Sequence, residues 1–193
     1  MHKINRRALL ARAGAGAGVV ALAGVAAQPA GAAELDLANV RLVCSSKRLA
    51  ITWYTRWINA GAAARPDVST RTIVIGLRKQ EQAHYALLAP LLGGTAPSDD
   101  DFAYTLPKGA LRSSVAAAGF SLALENLLLG IAIAASATTQ DVGISESLAR
   151  VAASDAQHVS ALRSLAGGSP IPSGLARPIS LEDASNQLDQ FLS

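Results

Sequence analysis

The sequence has almost no cysteine: Cys44 stands alone among 193 residues. That excludes an intramolecular disulfide framework, and with it Cys-based zinc and iron–sulfur sites. Aromatic residues are scarce too, at 4%. Acid is missing from residues 1–33, which hold Lys3, Arg6, Arg7 and Arg12. The remainder holds 13 basic and 14 acidic residues, a net of −1, so the basic character of the chain resides in its start. A near-neutral body has no electrostatic footprint for nucleic acid. Charged residues make up 16% of the chain, too many for a wholly membrane-embedded protein and too few for a disordered one. What is abundant is Ala and Leu, with few β-branched runs, a composition that suits helices.

Residues 1–33 read as an export signal. A basic start is followed by an apolar run over 13–27 and by Ala30-Gly31-Ala32, an A-x-A cleavage pattern. The run is too short and too Gly-rich for a spanning helix, which needs about 20 apolar residues. Asn5-Arg6-Arg7-Ala8-Leu9-Leu10 resembles a twin-arginine signal, which a receptor reads as an address. That resemblance implies export of an already folded protein. An ordinary secretory leader and a retained anchor are the alternatives.

Beyond the leader, the apolar spacing predicts four helices, over 35–60, 67–92, 108–137 and 144–166. Breakers separate them at 61–66, 93–107 and 138–143, and Gly167-Gly168 ends the fourth. A short last helix starts at Ser180, where Ser180 and Asp183 fit a capping box. No useful stretch alternates as a strand would. The prediction is an all-α four-helix bundle over 34–168 and a tail over 169–193 with one short helix. The second connection is long enough to cross over the bundle. The third segment is apolar enough for a membrane span. A charge at its centre, Glu125, costs at least about 2.5 kcal/mol there, so a bundle core helix explains it better and no stable membrane span is expected.

Two stripes carry the chemistry. Val74, Leu77, Glu81, His84, Leu88 and Leu91 recur at spacings of 3 and 4, and so do Leu148, Val151, Asp155, His158, Leu162 and Leu165. One offset, 74 residues, relates every member, and it also relates Gly93-Gly94 to Gly167-Gly168. This is an internal repeat of helix pairs. Such stripes face the core, so each aims an acid and a histidine inward. A buried carboxylate needs a partner, either a metal or a cation. On the third helix Leu122, Glu125, Leu129 and Ala132 aim Glu125 inward. On the first, Val40, Val43, Lys47, Ala50, Tyr54 and Trp57 place a cation, Lys47, where a fourth carboxylate is expected.

The pattern resembles the ferritin-like superfamily, whose sites take one Glu from each of two helices and Glu-x-x-His from each of the other two. Glu81-Gln82-Ala83-His84 matches one motif, Asp155-Ala156-Gln157-His158 the other with a shortened acid, and Glu125 one lone Glu. Leu124-Glu125, the stretch from Asp155 to Arg163, and Arg177-Pro178-Ile179-Ser180 are similar to the exported, desiccation-related group of that superfamily. The resemblance implies a role in stress or desiccation tolerance, or in iron handling, outside the cytoplasm. Caged and monomeric relatives share the bundle, so it fixes no oligomeric state. The chain departs from the family at three points. The family's first-helix Glu lies seven residues before a Tyr, and counting back from Tyr54 gives Lys47. Asp155 is one methylene shorter than Glu. The counterpart of Tyr54 on the third helix is Ala132. The di-metal site is therefore expected to be degenerate.

Charge decides how much metal such a site balances. Glu81, Glu125 and Asp155 against Lys47 leave −2, enough for one divalent ion or none. With one ion (iron, manganese or zinc), Glu125, Asp155 and His158 would be ligands and Glu81 would be shared with Lys47. With none, Lys47 would pair with Glu81 and Glu125 in a closed polar network. A di-iron oxidase, the enzyme class the resemblance raises, lacks a ligand here. Asp99-Asp100-Asp101 reads as a solvated acidic turn, Trp53, Tyr54 and Trp57 as core packing, and Cys44 as a small buried residue.

Overall fold

The computed structural model describes residues 30–191. Four long helices, α1 (Ala30–Ile58), α2 (Val68–Leu88), α3 (Ser114–Thr138) and α4 (Val142–Leu165), are followed by a short α5 (Leu181–Asp189). No strand occurs among the described residues. The bundle with its short C-terminal helix is the predicted fold. The leader prediction falls on residues 1–33, most of which lie outside the described residues; α1 already includes Ala30.

Local chemistry sets the helix starts. Asp67, Ser113, Asp141 and Ser180 each accept a hydrogen bond from a backbone N–H in the first turn of α2, α3, α4 and α5. The predicted start of α3 at 108 is corrected to Ser114, because Gly109 takes a positive φ of 81° and Ser113 supplies the cap. The predicted end of α2 at 92 is corrected to Leu88. Pro90 has no N–H to donate, and the chain tightens into a 3-10 segment, Ala89–Thr95. Leu92 then takes the buried place that the stripe assigned to Leu91, which is 40% exposed.

Contacts fix the arrangement. Arg71 of α2 reaches Ile58 at the end of α1, while Glu81 meets Lys47 further back, so the two helices are antiparallel. Ser136 and Ser145 exchange hydrogen bonds across the turn between α3 and α4, and Glu125 meets His158 deeper in, so this pair is antiparallel as well. Asn39 meets Thr138 and Tyr54 meets Glu125, which sets α1 antiparallel to α3. Helices α2 and α3 therefore run parallel on a diagonal, and the 89–113 connection must traverse the bundle. It does so along α1, where Arg56 donates to the Tyr104 carbonyl, Tyr104 to the Ser45 carbonyl, and Arg48 pairs with Asp99.

Among the described helices α3 alone is long and apolar enough to cross a membrane. Here it is covered on both sides. The other long helices bury Leu124, Leu128 and Ala132, while the tail lies on its far face at Gly130. Ile179 donates its N–H to the Gly130 carbonyl, and a Cβ at Gly130 would come within 2.7 Å of the Ile179 side chain. Leu188 and Ala184 of α5 are buried, and Phe191 accepts from the Thr105 N–H, so tail and crossover close on each other.

One end of the bundle is clamped by a buried acid. Asp36 accepts from the Gln140 and Asp141 N–H groups, both at 2.8 Å, and so ties the turn before α4 to α1. Asp36→Ala should leave two donors unsatisfied and lower the unfolding free energy by about 1–3 kcal/mol. Urea unfolding measures it, and an unshifted midpoint would show that water serves those donors equally well.

Candidate metal centre

The four stripes converge on one polar layer. Lys47, Tyr54, Glu81, Glu125 and Asp155 are fully buried, His158 is 1% exposed and His84 9%. Apolar residues enclose the layer: Val43, Ala50, Leu77, Leu88, Leu128, Val151 and Leu162. Each helix delivers its polar residues because they replace core positions of its own stripe.

Within the layer the charges sort into two sides. Lys47 Nζ meets both oxygens of Asp155, at 2.8 and 2.7 Å, and Glu81 Oε2 at 3.1 Å. His84 Nδ1 lies 3.4 Å from Asp155 Oδ1 and 3.6 Å from Glu81 Oε2. On the other side Tyr54 donates to Glu125 Oε1 at 2.6 Å, and His158 Nδ1 lies 3.3 Å from Glu125 Oε2. Glu81 bridges the sides, its Oε1 being 3.0 Å from His158 Nδ1. The two imidazoles stack with centroids 5.6 Å apart. All six predicted site residues thus share one layer. The pairing of Lys47 with Glu125 is corrected: Asp155 is its principal counter-ion, and Tyr54, two turns along α1, holds Glu125 instead. Leu122 and Leu165 are only half-buried, so the predicted third and fourth stripes do not coincide with the buried faces at those two positions.

Environment sets the protonation states. Burial works against the charge on Lys47, but Asp155, then Glu81 and Glu125, outweigh it and hold its pKa above the ordinary value. Burial also opposes ionisation of Glu81, yet Lys47 and then His158 hold its pKa below the usual range. Burial and the Glu81 charge push Glu125 up. Burial and the Glu125 charge push the Tyr54 phenol well up, which keeps it a neutral donor. His158 loses charge stabilisation through burial, but Glu125 and Glu81 more than restore it and raise its pKa to about 10. The Cys44 thiol, buried against α1's neighbours, is raised to about 12 and is inert.

The layer fits a metal ion on its donor chemistry. Glu81, Glu125, Asp155 and His158 each offer an atom, and all four atoms lie within 4.8 Å of one another. Four tetrahedral ligands at about 2.0–2.2 Å from one ion stand about 3.3–3.6 Å apart, so the widest pairs of this group would draw in by about 1 Å to hold it. The Glu81 oxygens supply the second indication. They lie within ion-pair range of Lys47 and His158, yet neither receives a well-directed hydrogen bond, although both are buried. His84 Nδ1 is likewise buried without a hydrogen-bond partner. His84 does not belong to the group of four that can share one ion.

Two residues of this layer were not assigned a role from the sequence. The sequence places Tyr54 in the core packing, and the structure makes it the donor to Glu125. Gln80, an exposed residue of α2, has its Oε1 2.5 Å from His158 Nε2. The repeat carried its only signal, since it sits beside Glu81 and 74 residues before Ser154.

A helical bundle whose middle layer gathers carboxylates and histidines from three helices, and a lysine and a tyrosine from the fourth, defines a carboxylate–histidine bundle protein. The chain belongs to the ferritin-like domain family, whose model matches residues 18–168. That match ends just past α4. No curated protein matches the chain.

Two predictions test the electrostatics of the metal-free layer. Lys47→Met strips Glu81 and Asp155 of their counter-charge and should lower the unfolding free energy by about 3–5 kcal/mol, read by urea unfolding at neutral pH. No change in midpoint would mean that the ammonium does not balance the layer. The second concerns pH. The folded pKa of His158, about 10, lies above its ordinary 6.5. Its contribution is therefore complete below about pH 6.5 and is lost as pH rises through 10. His158→Gln should flatten the stability profile between those values; an unaltered slope would assign it to other groups.

Proposed function

We propose that this chain is an exported, degenerate ferritin-like protein that holds a single transition-metal ion. Lys47 takes the place of the second ion. The observation that carries this reading is Glu81, a fully buried carboxylate whose oxygens have ion-pair contacts to Lys47 and His158 but no well-directed hydrogen bond, set among three further ligand atoms. Apolar residues of similar volume often make a core at least as stable as buried charges, so stability alone does not account for the layer.

The residues divide the work. Glu81, Glu125, Asp155 and His158 would hold the ion, and their carboxylate and imidazole donors suit iron, manganese or zinc. Lys47 neutralises Asp155 and one oxygen of Glu81, leaving less negative charge for metal than three free carboxylates would. Tyr54 fixes the orientation of Glu125 through a 2.6 Å hydrogen bond. A bound ion supplies a fixed positive charge and, if iron or manganese, one-electron chemistry. With a lysine in the second position, the centre is read as holding metal rather than performing two-metal oxygen chemistry. Export is supported by the basic, apolar and A-x-A succession of residues 1–33. A role in iron handling or in stress and desiccation protection outside the cytoplasm accords with both features.

Metal analysis of the protein purified from an exporting host tests the reading. One equivalent per chain is expected, falling well below one in Glu125→Ala. Lys47→Glu should raise the capacity to two, because it supplies the fourth carboxylate beside His84. Zero equivalents, persisting after anaerobic reconstitution with ferrous iron, would overturn the proposal in favour of a metal-free bundle. Two equivalents in the unaltered protein would show that Lys47 does not displace an ion.

A further inference from the structure

We infer that Gln80 is a positioning residue of this centre: it holds the Nε2 proton of His158 and so presents Nδ1 to the carboxylates as the ligand atom. The inference rests on the one-ion reading for its purpose, but not for its geometry. Gln80 Oε1 stands 2.5 Å from His158 Nε2. A carbonyl oxygen only accepts, so this contact requires a proton on Nε2. Nδ1 is then the nitrogen that faces Glu81 and Glu125, at 3.0 and 3.3 Å. A ligating histidine whose other nitrogen is tied to an acceptor is fixed in ring orientation and is the more basic ligand.

The internal repeat supplies the control within the molecule. Under the 74-residue offset Gln80 corresponds to Ser154 and His158 to His84. The Ser154 hydroxyl is too short to serve His84 as Gln80 serves His158; it points instead at Gln80 Oε1, 3.4 Å away. His84 Nδ1, the nitrogen that faces the carboxylates, has no well-directed hydrogen bond, although it lies 3.4 Å from Asp155 Oδ1. The Gln80 contact thus falls on His158 and has no counterpart from Ser154 at His84. An exposed glutamine has water available to it; here it bends across the seam between α2 and α4 onto a buried ring. The two histidines, equivalent in sequence, are made unequal by that one side chain.

The test uses the folded protein with 15N-labelled histidine. Without metal, the unaltered protein and Gln80→Glu, which keeps the acceptor, should show a slowly exchanging Nε2–H on His158. Gln80→Ala and Gln80→Lys, which remove it, should lose that signal while their urea midpoints stay put. With zinc as the probe, Gln80→Ala and Gln80→Lys should bind about 10–100-fold more weakly, and Gln80→Glu should bind as the parent does. An Nε2–H equally protected in Gln80→Ala, or equal zinc affinity across the series, would overturn the assignment. Should the parent bind no zinc, the one-ion reading falls, and the metal-free spectra still decide whether Gln80 holds the proton.

Discussion

A lysine ammonium set between two carboxylates, with a third close by, governs this bundle from its centre. Taking such charges out of water costs several kcal/mol per ion, and mutual attraction offsets that only when the geometry is good. The constraint reaches every helix. Lys47 must stand opposite Asp155, which fixes α1 against α4 on a diagonal. Glu81 must lie beside both Lys47 and His158, which fixes the register of α2. Glu125 must meet Tyr54 and His158, which fixes α3. An apolar layer would tolerate small slips along the helix axes; a layer of matched charges does not.

The spacing of apolar residues made the bundle and its inward polar residues legible, because a 3-and-4 stripe has only one way to face a core. It failed where the helix itself failed. Leu91 follows Pro90 out of the regular spiral, and the start of α3 waits for the cap at Ser113 rather than for the first apolar residue. It also misplaced the margins of α3 and α4, where Leu122 and Leu165 are only half-buried while α3 is buried well beyond its stripe. Partners were less legible than positions. Periodicity says that Lys47 and Tyr54 point inward; it does not say which helix each one meets. Gln80 was hidden for the opposite reason: it stands on the solvent side of its helix and acts by bending inward.

The repeat and its breaches belong together. Glycines at the ends of the two Glu/Asp-x-x-His segments, Gly93 and Gly167, both adopt positive φ, 56° and 80°, so the offset holds in backbone geometry as well as in sequence. Against that regularity the helix pairs differ at Lys47 opposite Glu125 and Tyr54 opposite Ala132, both 78 residues apart, and at Glu81 opposite Asp155 and Gln80 opposite Ser154, both 74 apart. Lys47 neutralises one half of the layer, while Tyr54 and Gln80 brace the other. Their joint effect is to make two related half-sites unlike: Lys47 occupies one, Tyr54 and His158 hold Glu125 in the other, and Glu81 lies between them with neither oxygen receiving a well-directed hydrogen bond. Any single breach would leave the halves only partly unlike.

The crossover between α2 and α3 has a consequence for how the chain folds. Each hairpin, α1 with α2 and α3 with α4, forms from contacts close in sequence, whereas Lys47 and Asp155 are 108 residues apart. Non-local contacts of this kind arrive late because loop closure must precede them. Before docking, the first hairpin carries a balanced Lys47 and Glu81, while the second carries Glu125 and Asp155 with no lysine between them. Docking is then a neutralisation step as much as a burial step, and it is the moment at which the layer closes to water. The central charges make assembly conditional: two correctly folded hairpins in the wrong register would enclose unpaired carboxylates, and that mismatch penalises the misassembled bundle before it can settle.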